Sequence, residues 1–280
     1  MLTKKKLGVV IVDTYADKRS ARFAVERTLR ELHVSECLVL SDVPFVAGAR
    51  HVPIDTLNGI RDYNALVLDR LCDWAECDAY LVVQWDGFSL DGRRWRDSFL
   101  DCDYVGAPWP HLGGLVGSGG FSLRSRKLIE SVGRLRRRES RSDVDTAEDV
   151  QICITYRRGL TDAGLRFAEP DLAATFSFER YPGSPQLVSP RTFGFHGVFN
   201  FPLVLDEAEV LGQFDAMLPR MGRTAAIWYL FVQHAWRRGF EELGLRALTA
   251  LAERDGTVWA RVAQPLLKEG LPKHWLRGQG

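Results

Sequence analysis

The chain predicts an α/β fold, a Rossmann-like nucleotide-binding sheet with helices on both faces, and three observations lead there. Leu7 to Val12 is an unbroken apolar run rich in β-branched residues, the pattern of a strand covered on both sides. Ala79 to Val83 is a second such run and the clearest central strand. Between them strand and helix patterns alternate, which joins parallel strands through crossover helices.

The elements follow in order. Asp13 and Thr14 close the first strand. Ala21, Val25, Thr28, Leu29 and Leu32 recur at helical spacing. Cys37 to Leu40 reads as the second strand, ended by Ser41 and Asp42, and His51 to Ile54 as a short third. Tyr63, Leu66, Val67, Leu71, Trp74 and Ala75 form the next helical stripe, leading into Ala79–Val83. Ligands of such sheets lie beyond the carboxyl ends of the strands. Asp13, Asp42, Gln84 and Asp86 are therefore expected at one crevice.

Residues 99 to 202 change character, being rich in Gly, Pro and aromatics. Ala147 to Arg157 has helix character, and Arg134 to Asp143 reads as a basic surface loop. Beyond Phe201 the pattern is helical. One helix stops at Gly239 behind two arginines, one runs from Phe240 to Asp255, and one starts near Thr257 and is disturbed by Pro265. No period repeats. We divide the chain into an α/β domain, 1–202, and a helical C-terminal appendage, 203–280. Trp228, Tyr229, Phe231 and Trp236 give that appendage aromatic surface for oligomerisation.

Composition excludes several classes. The 280 residues are 46% hydrophobic, enough for a full core, and 37 Lys and Arg against 36 Asp and Glu leave a formal charge of +1. That charge offers no field to nucleic acid or an anionic membrane. No apolar stretch approaches the roughly 18 residues a membrane span needs. The five scattered cysteines form no CxxC pair, and reduced thiols in a cytoplasmic protein are the simplest reading. Neither GxGxxG nor a Walker A loop follows a strand, which argues against nicotinamide and P-loop chemistry.

The candidate site residues each have a plain alternative. Asp86 ends the strongest strand and suits either a metal-bound diphosphate or a turn. Glu148 and Asp149 head a helix, where acids favour the dipole, yet a helix start also presents a general base rigidly. His196 stands between Phe193-Gly-Phe195 and Gly197, a setting that suits a ligand or a structural ring. Gly117, Gly119 and Gly120 permit tight turns, and equally let backbone lie against a sugar ring that Ser122 or Arg124 touches.

The order of these blocks resembles the GT-A glycosyltransferases, and most closely their bacterial DUF5672-type branch. The blocks are Gln84-Trp-Asp86, Asp103-Tyr-Val-Gly-Ala-Pro-Trp109, Gly117-Ser-Gly-Gly-Phe-Ser-Leu-Arg124, Glu148-Asp-Val150 and Phe193-Gly-Phe-His-Gly197. The resemblance covers residues 7 to 202 and leaves the tail unexplained. It implies a GT-A-like sheet and transfer of a sugar from a nucleotide-sugar donor, UDP-linked by family habit, to a saccharide or lipid-linked saccharide acceptor. Surface polysaccharide synthesis in bacteria is the setting it suggests.

It also implies roles. Asp86 matches the last Asp of the Asp-x-Asp motif and His196 the later histidine, so both would hold a divalent metal, Mn²⁺ or Mg²⁺. An imidazole in that set favours Mn²⁺. Gln84 replaces the first Asp. Asp13, Asp42, Gln84 and Asp86 would face the nucleotide, and Trp109, Gly119, Gly120, Phe121 and Arg124 the sugars. Asp149, with Glu148 beside it, would be the base of an inverting transfer. A sugar nucleotidyltransferase would show a basic, Gly-rich loop after the first strand, and residues 13 to 18 do not. A non-catalytic nucleotide- or carbohydrate-binding module is the reading from another class, favoured by the loss of that first Asp.

Overall fold

The computed structural model describes residues 5–109, 112–139, 145–179 and 191–276. The chain divides into two compact units, one made of Met1–Glu179 and Arg191–His196, the other centred on Gly197–Gly280.

The first unit is built on a six-stranded mixed sheet whose strands lie in the order Arg50–Pro53, Glu36–Ser41, Leu7–Val12, Ala79–Val83, Phe121–Ser125 and Tyr104–Val105. Strands β1 (Leu7–Val12), β2 (Glu36–Ser41), β3 (Arg50–Pro53) and β4 (Ala79–Val83) run parallel. Strand β9 (Phe121–Ser125) is antiparallel to β4 and to the short β6 (Tyr104–Val105). The predicted α/β class holds, with an antiparallel member added to the parallel core.

Helices cover both faces because the central strands β1, β2 and β4 are apolar on both. Val10, Leu38, Leu40, Val52, Tyr80 and Val82 form one buried cluster with Leu66, Val67 and Leu71 of the helical segment 60–73 and Ile129 of α3 (Arg126–Glu139). That segment joins α2 (Ile60–Asn64) to a π turn and a 3₁₀ turn. The alternate residues Val9, Ile11, Val39, Leu81 and Val83 turn the other way, where α1 (Arg19–Glu31) buries Ala21, Ala24, Val25 and Thr28. A fully buried aliphatic side chain stabilises by roughly 1.5–3 kcal/mol, so this two-sided core is what holds the strand ends rigid.

Two small sheets stand beside the large one. Strands β7 (Ala107–Trp109) and β8 (Leu115–Gly117) pair antiparallel. Strands β10 (Ser177–Phe178), β11 (Gly194–His196) and β5 (Gly87–Ser89) form the other, in the order β10-β11-β5. Helix α1 anchors β5, since the Ser89 amide donates to Thr28 Oγ1 at 3.2 Å and Phe23 meets Phe88 edge-on at 5.5 Å. Beneath the sheet lie Phe99, Phe121, Phe176 and Phe193, all fully buried.

Two expectations are corrected and one, on Pro265, is refined. Arg134 to Glu139 continue α3 as helix, not loop, and the rest of that basic stretch lies outside the described residues. In the second unit Pro265 sits inside α11 (Gly256–Lys268) without ending it. One missing N–H removes a single hydrogen bond, and the apolar face of Val258, Val262 and Leu266 keeps the helix docked. Trp228 and Phe231 of α9 (Ala225–Arg237) are buried within their own unit, where α9 packs with α10 (Glu241–Arg254) and α11, so they offer no surface to a partner. In chain order these helices come after α4 (Glu148–Val150), α5 (Arg157–Asp162) and α6 (Pro170–Phe176) of the first unit and α7 (Phe201–Val204) and α8 (Glu207–Met217) of the second, α8 being started by an Asp206–Glu209 capping box. Among the described residues no helix is long and apolar enough to cross a membrane, and none of the five cysteines forms a disulfide.

Candidate active site

Strand order reverses between β1 and β4, the point where an open α/β sheet leaves a crevice at its carboxyl edge. The predicted residues of β1, β2 and β4 all emerge there. Asp13 and Asp42 share a cation that the sequence reading missed. Lys18 Nζ lies 2.6 Å from Asp42 Oδ1 and 3.5 Å from Asp13 Oδ1, and donates to the Asp13 carbonyl at 2.9 Å. The Lys18 bond holds the Asp42 carboxyl below the usual range. Beside Asp42 opens a cavity of about 690 Å³, lined by Ile54, Leu66, Arg70 and Trp74 among others.

The short sheet β10-β11-β5 builds the centre of the site. In its antiparallel pairing His196 stands opposite Gly87, so Asp86 is the next residue along. His196 Nε2 lies 3.7 Å from Asp86 Oδ1 and Nδ1 lies 3.2 Å from Glu179 Oε1. Burial alone would push the imidazole towards its neutral form, but the carboxylates of Glu179 and Asp86 outweigh it and raise its pKa to about 10. Gln84 Nε2 donates to the Tyr63 hydroxyl at 3.0 Å, a partner also missed from sequence.

The glycine turn before β9 joins this centre to the acid pair. A Cβ on Gly120 would lie 2.1 Å from His196 Nε2 and 2.7 Å from Gln84 Oε1, and one on Gly119 only 1.9 Å from Glu148 Oε1. The glycines thus admit the protein's own side chains, where the sequence left tight turns and the approach of a sugar both open. Ser118 holds a left-handed φ of 66° in the same turn. Gly120→Ala should displace the His196 ring and cost about 1–3 kcal/mol by overpacking. Urea unfolding and the ring resonances of His196 would read both effects, and an unmoved ring would mean that the turn yields instead.

The two acids, at the head of α4 (Glu148–Val150), are held differently. Glu148 is buried, with Oε1 2.6 Å from Arg124 Nη2. Arg124 also donates to the Gly119 carbonyl at 3.2 Å and to Ser122 Oγ at 3.0 Å. Asp149 is half-buried and accepts the Gly119 amide at 2.9 Å and the Val150 amide at 2.8 Å. Burial, then the charge of Glu148, raises the Asp149 pKa to about 6, against which the two amides work. A carboxylate tuned this way ionises near neutrality, the range in which a base works best. Glu148 is engaged by Arg124 instead.

Three predicted substrate contacts take other places. Arg124 is 1% exposed, sealed under the glycine turn by Glu148. Phe121 is fully buried and stacks on Phe176 at 5.3 Å. Trp109 is buried with its indole across Gly117, where a Cβ would meet the ring at 2.1 Å. These residues support the turn; none is open to a sugar.

Among the described residues no group of three or more His, Cys, Asp and Glu side chains is arranged to hold a metal ion. Asp86 and His196 nevertheless fit one as a pair. Bonds of about 2.1 Å place two donors no more than about 4.2 Å apart, and theirs are 3.7 Å apart.

The model of a family described as a protein of unknown function, DUF5672, matches residues 47–196. No curated protein matches. Among solved structures, a mycobacterial protein is similar at 16% identity with a TM-score of 0.34, over 51% of this chain and 64% of that one. The apo-form glycosyltransferase GlyE of Streptococcus pneumoniae TIGR4 is similar at 13% identity with a TM-score of 0.36, over 68% of this chain and 54% of that one. The chain thus spans less than two thirds of either solved chain.

Proposed function

The chain belongs to the DUF5672 family, and from that premise and the site's geometry we propose that it is a metal-dependent, inverting glycosyltransferase. What supports this reading is that one glycine turn gathers Asp86 and His196, 3.7 Å apart and so spaced for a divalent ion, with Asp149, whose pKa is raised to about 6.

The donor is a nucleotide-sugar, UDP-linked in the simplest case, and the acceptor a saccharide hydroxyl. Asp86 and His196 would hold a divalent ion, Mn²⁺ before Mg²⁺, whose charge neutralises the leaving diphosphate. Asp149 accepts the proton of the acceptor hydroxyl as that oxygen attacks the anomeric carbon opposite the leaving group. The Gly119 amide fixes the Asp149 carboxylate during this step, and Arg124 fixes Gly119 from below. Lys18 keeps Asp13 and Asp42 from repelling an incoming nucleotide.

Calorimetric titration of UDP, GDP and CMP, each with and without Mn²⁺, tests the reading. One nucleotide binding tightly only with metal is the expected result. His196→Ala should then weaken that binding by more than the roughly 10–100-fold typical of changes around a metal's ligands. If the folded protein binds none of the three, the glycosyltransferase reading fails. Gln84, engaged by Tyr63 where the resemblance has an acid, favours a second reading as a non-catalytic nucleotide-binding module. Metal-dependent nucleotide binding without hydrolysis of any nucleotide-sugar would select it.

A further inference from the structure

We propose that Glu179 is a positioning residue that locks the His196 ring with Nδ1 against its own carboxylate and Nε2 turned to Asp86. The purpose assigned to Nε2 rests on the proposed function; the hold on the ring does not.

The backbone sets this arrangement. In β10 and β11 Ser177 pairs with Gly194 and Phe178 with Phe195, so the same register brings Glu179 beside His196. On the other flank β5 places Gly87 opposite His196 and Asp86 next to it. One imidazole therefore stands between two carboxylates delivered by neighbouring strands, Glu179 at 3.2 Å from Nδ1 and Asp86 at 3.7 Å from Nε2. Ser118 Oγ lies 3.5 Å from Nδ1, on the Glu179 side of the ring.

The ring has little freedom otherwise. Cβ atoms on Gly87 and Gly120 would come within 2.9 Å of Cδ2 and 2.1 Å of Nε2, so backbone closes around it. A flip about the Cβ–Cγ bond exchanges Nδ1 with Cδ2 and Nε2 with Cε1. It would set a carbon against the Glu179 carboxylate and turn Nε2 from Asp86. A hydrogen bond on one ring nitrogen fixes what the other can do, and the partner of the outer nitrogen governs a ligand histidine's affinity. The Asp86–His196 pair is by itself a two-point anchor, so orientation of the ring is what makes it usable.

The test uses the full chain with ¹⁵N-labelled histidine rings, first without metal. The native protein should show an Nδ1–H proton shifted downfield by a charge-assisted hydrogen bond. Glu179→Ala should lose that shift, and Glu179→Gln, which retains an acceptor, should restore part of it. Titration with Mn²⁺ alone, followed by electron paramagnetic resonance, should show affinity falling about 10–100-fold in Glu179→Ala and less in Glu179→Gln. An Nδ1–H signal identical in folded native and Glu179→Ala proteins overturns the proposal. Should the alanine variant not fold, an unchanged signal in Glu179→Gln does the same. If native protein binds no Mn²⁺, the metal reading falls, and the ring signal alone decides the role of Glu179.

Discussion

Replacing Asp149 with Asn should lower turnover by about 10²–10⁴-fold while nucleotide affinity stays within about twofold. The hydrogen-bond partners of this carboxylate are the Gly119 and Val150 amides. Asn keeps one acceptor oxygen, enough for one of the two amides, and removes the proton acceptor. The effect therefore belongs in kcat. The native pH profile should rise through about 6, because the base must be ionised and its pKa is raised to that value. Glu148, Arg124 and the two amides face this carboxylate, and His196 lies within electrostatic reach of it. Stopped turnover at several pH values, with substrate above saturation, would measure both. An Asn variant that turns over at the native rate removes Asp149 from the mechanism.

The second large effect concerns stability. Arg124→Ala should destabilise the protein by about 3–5 kcal/mol, since it leaves Glu148 as an uncompensated buried charge. The pair is enclosed, with side chains 2% and 8% exposed, and Arg124 donates as well to the Gly119 carbonyl. Removing both charges, Arg124→Met with Glu148→Leu, should recover most of the loss, because well-packed apolar side chains can replace a buried pair at little cost. Equilibrium urea unfolding of the two single variants and the double one closes the cycle. A loss below about 1 kcal/mol for Arg124→Ala would show that the glycine turn is held by something else.

Why some of this was legible in the chain and some not follows from particular residues. Strands β1 and β4 stand where their apolar runs put them, because burial on both faces leaves no other periodicity to mistake. His196 and the acid pair flank the glycine turn before β9, and Asp86 lies beside His196. Trp109, Phe121 and Arg124 did not follow. The same glycine-and-aromatic composition serves a protein packing tightly on itself and a backbone approaching a ligand, and only exposure separates the two. Glu179 carried no signal at all. Its place depends on β10 finding β11, and no local pattern announces that pairing.

That pairing also bears on how the site is made. Gly87 and His196 face each other across about a hundred residues of chain, a long loop whose closure must be won by contacts elsewhere before the strands meet. The parallel core β1–β4 is complete by Val83 and can collapse early in synthesis, whereas β11 leaves the ribosome much later. On that order the carboxyl edge forms first as a half-built cleft with Asp13, Asp42 and Asp86 but no imidazole. A fragment ending before Gly194 would keep the sheet and lack His196, so the last strand to arrive sets when the site can function.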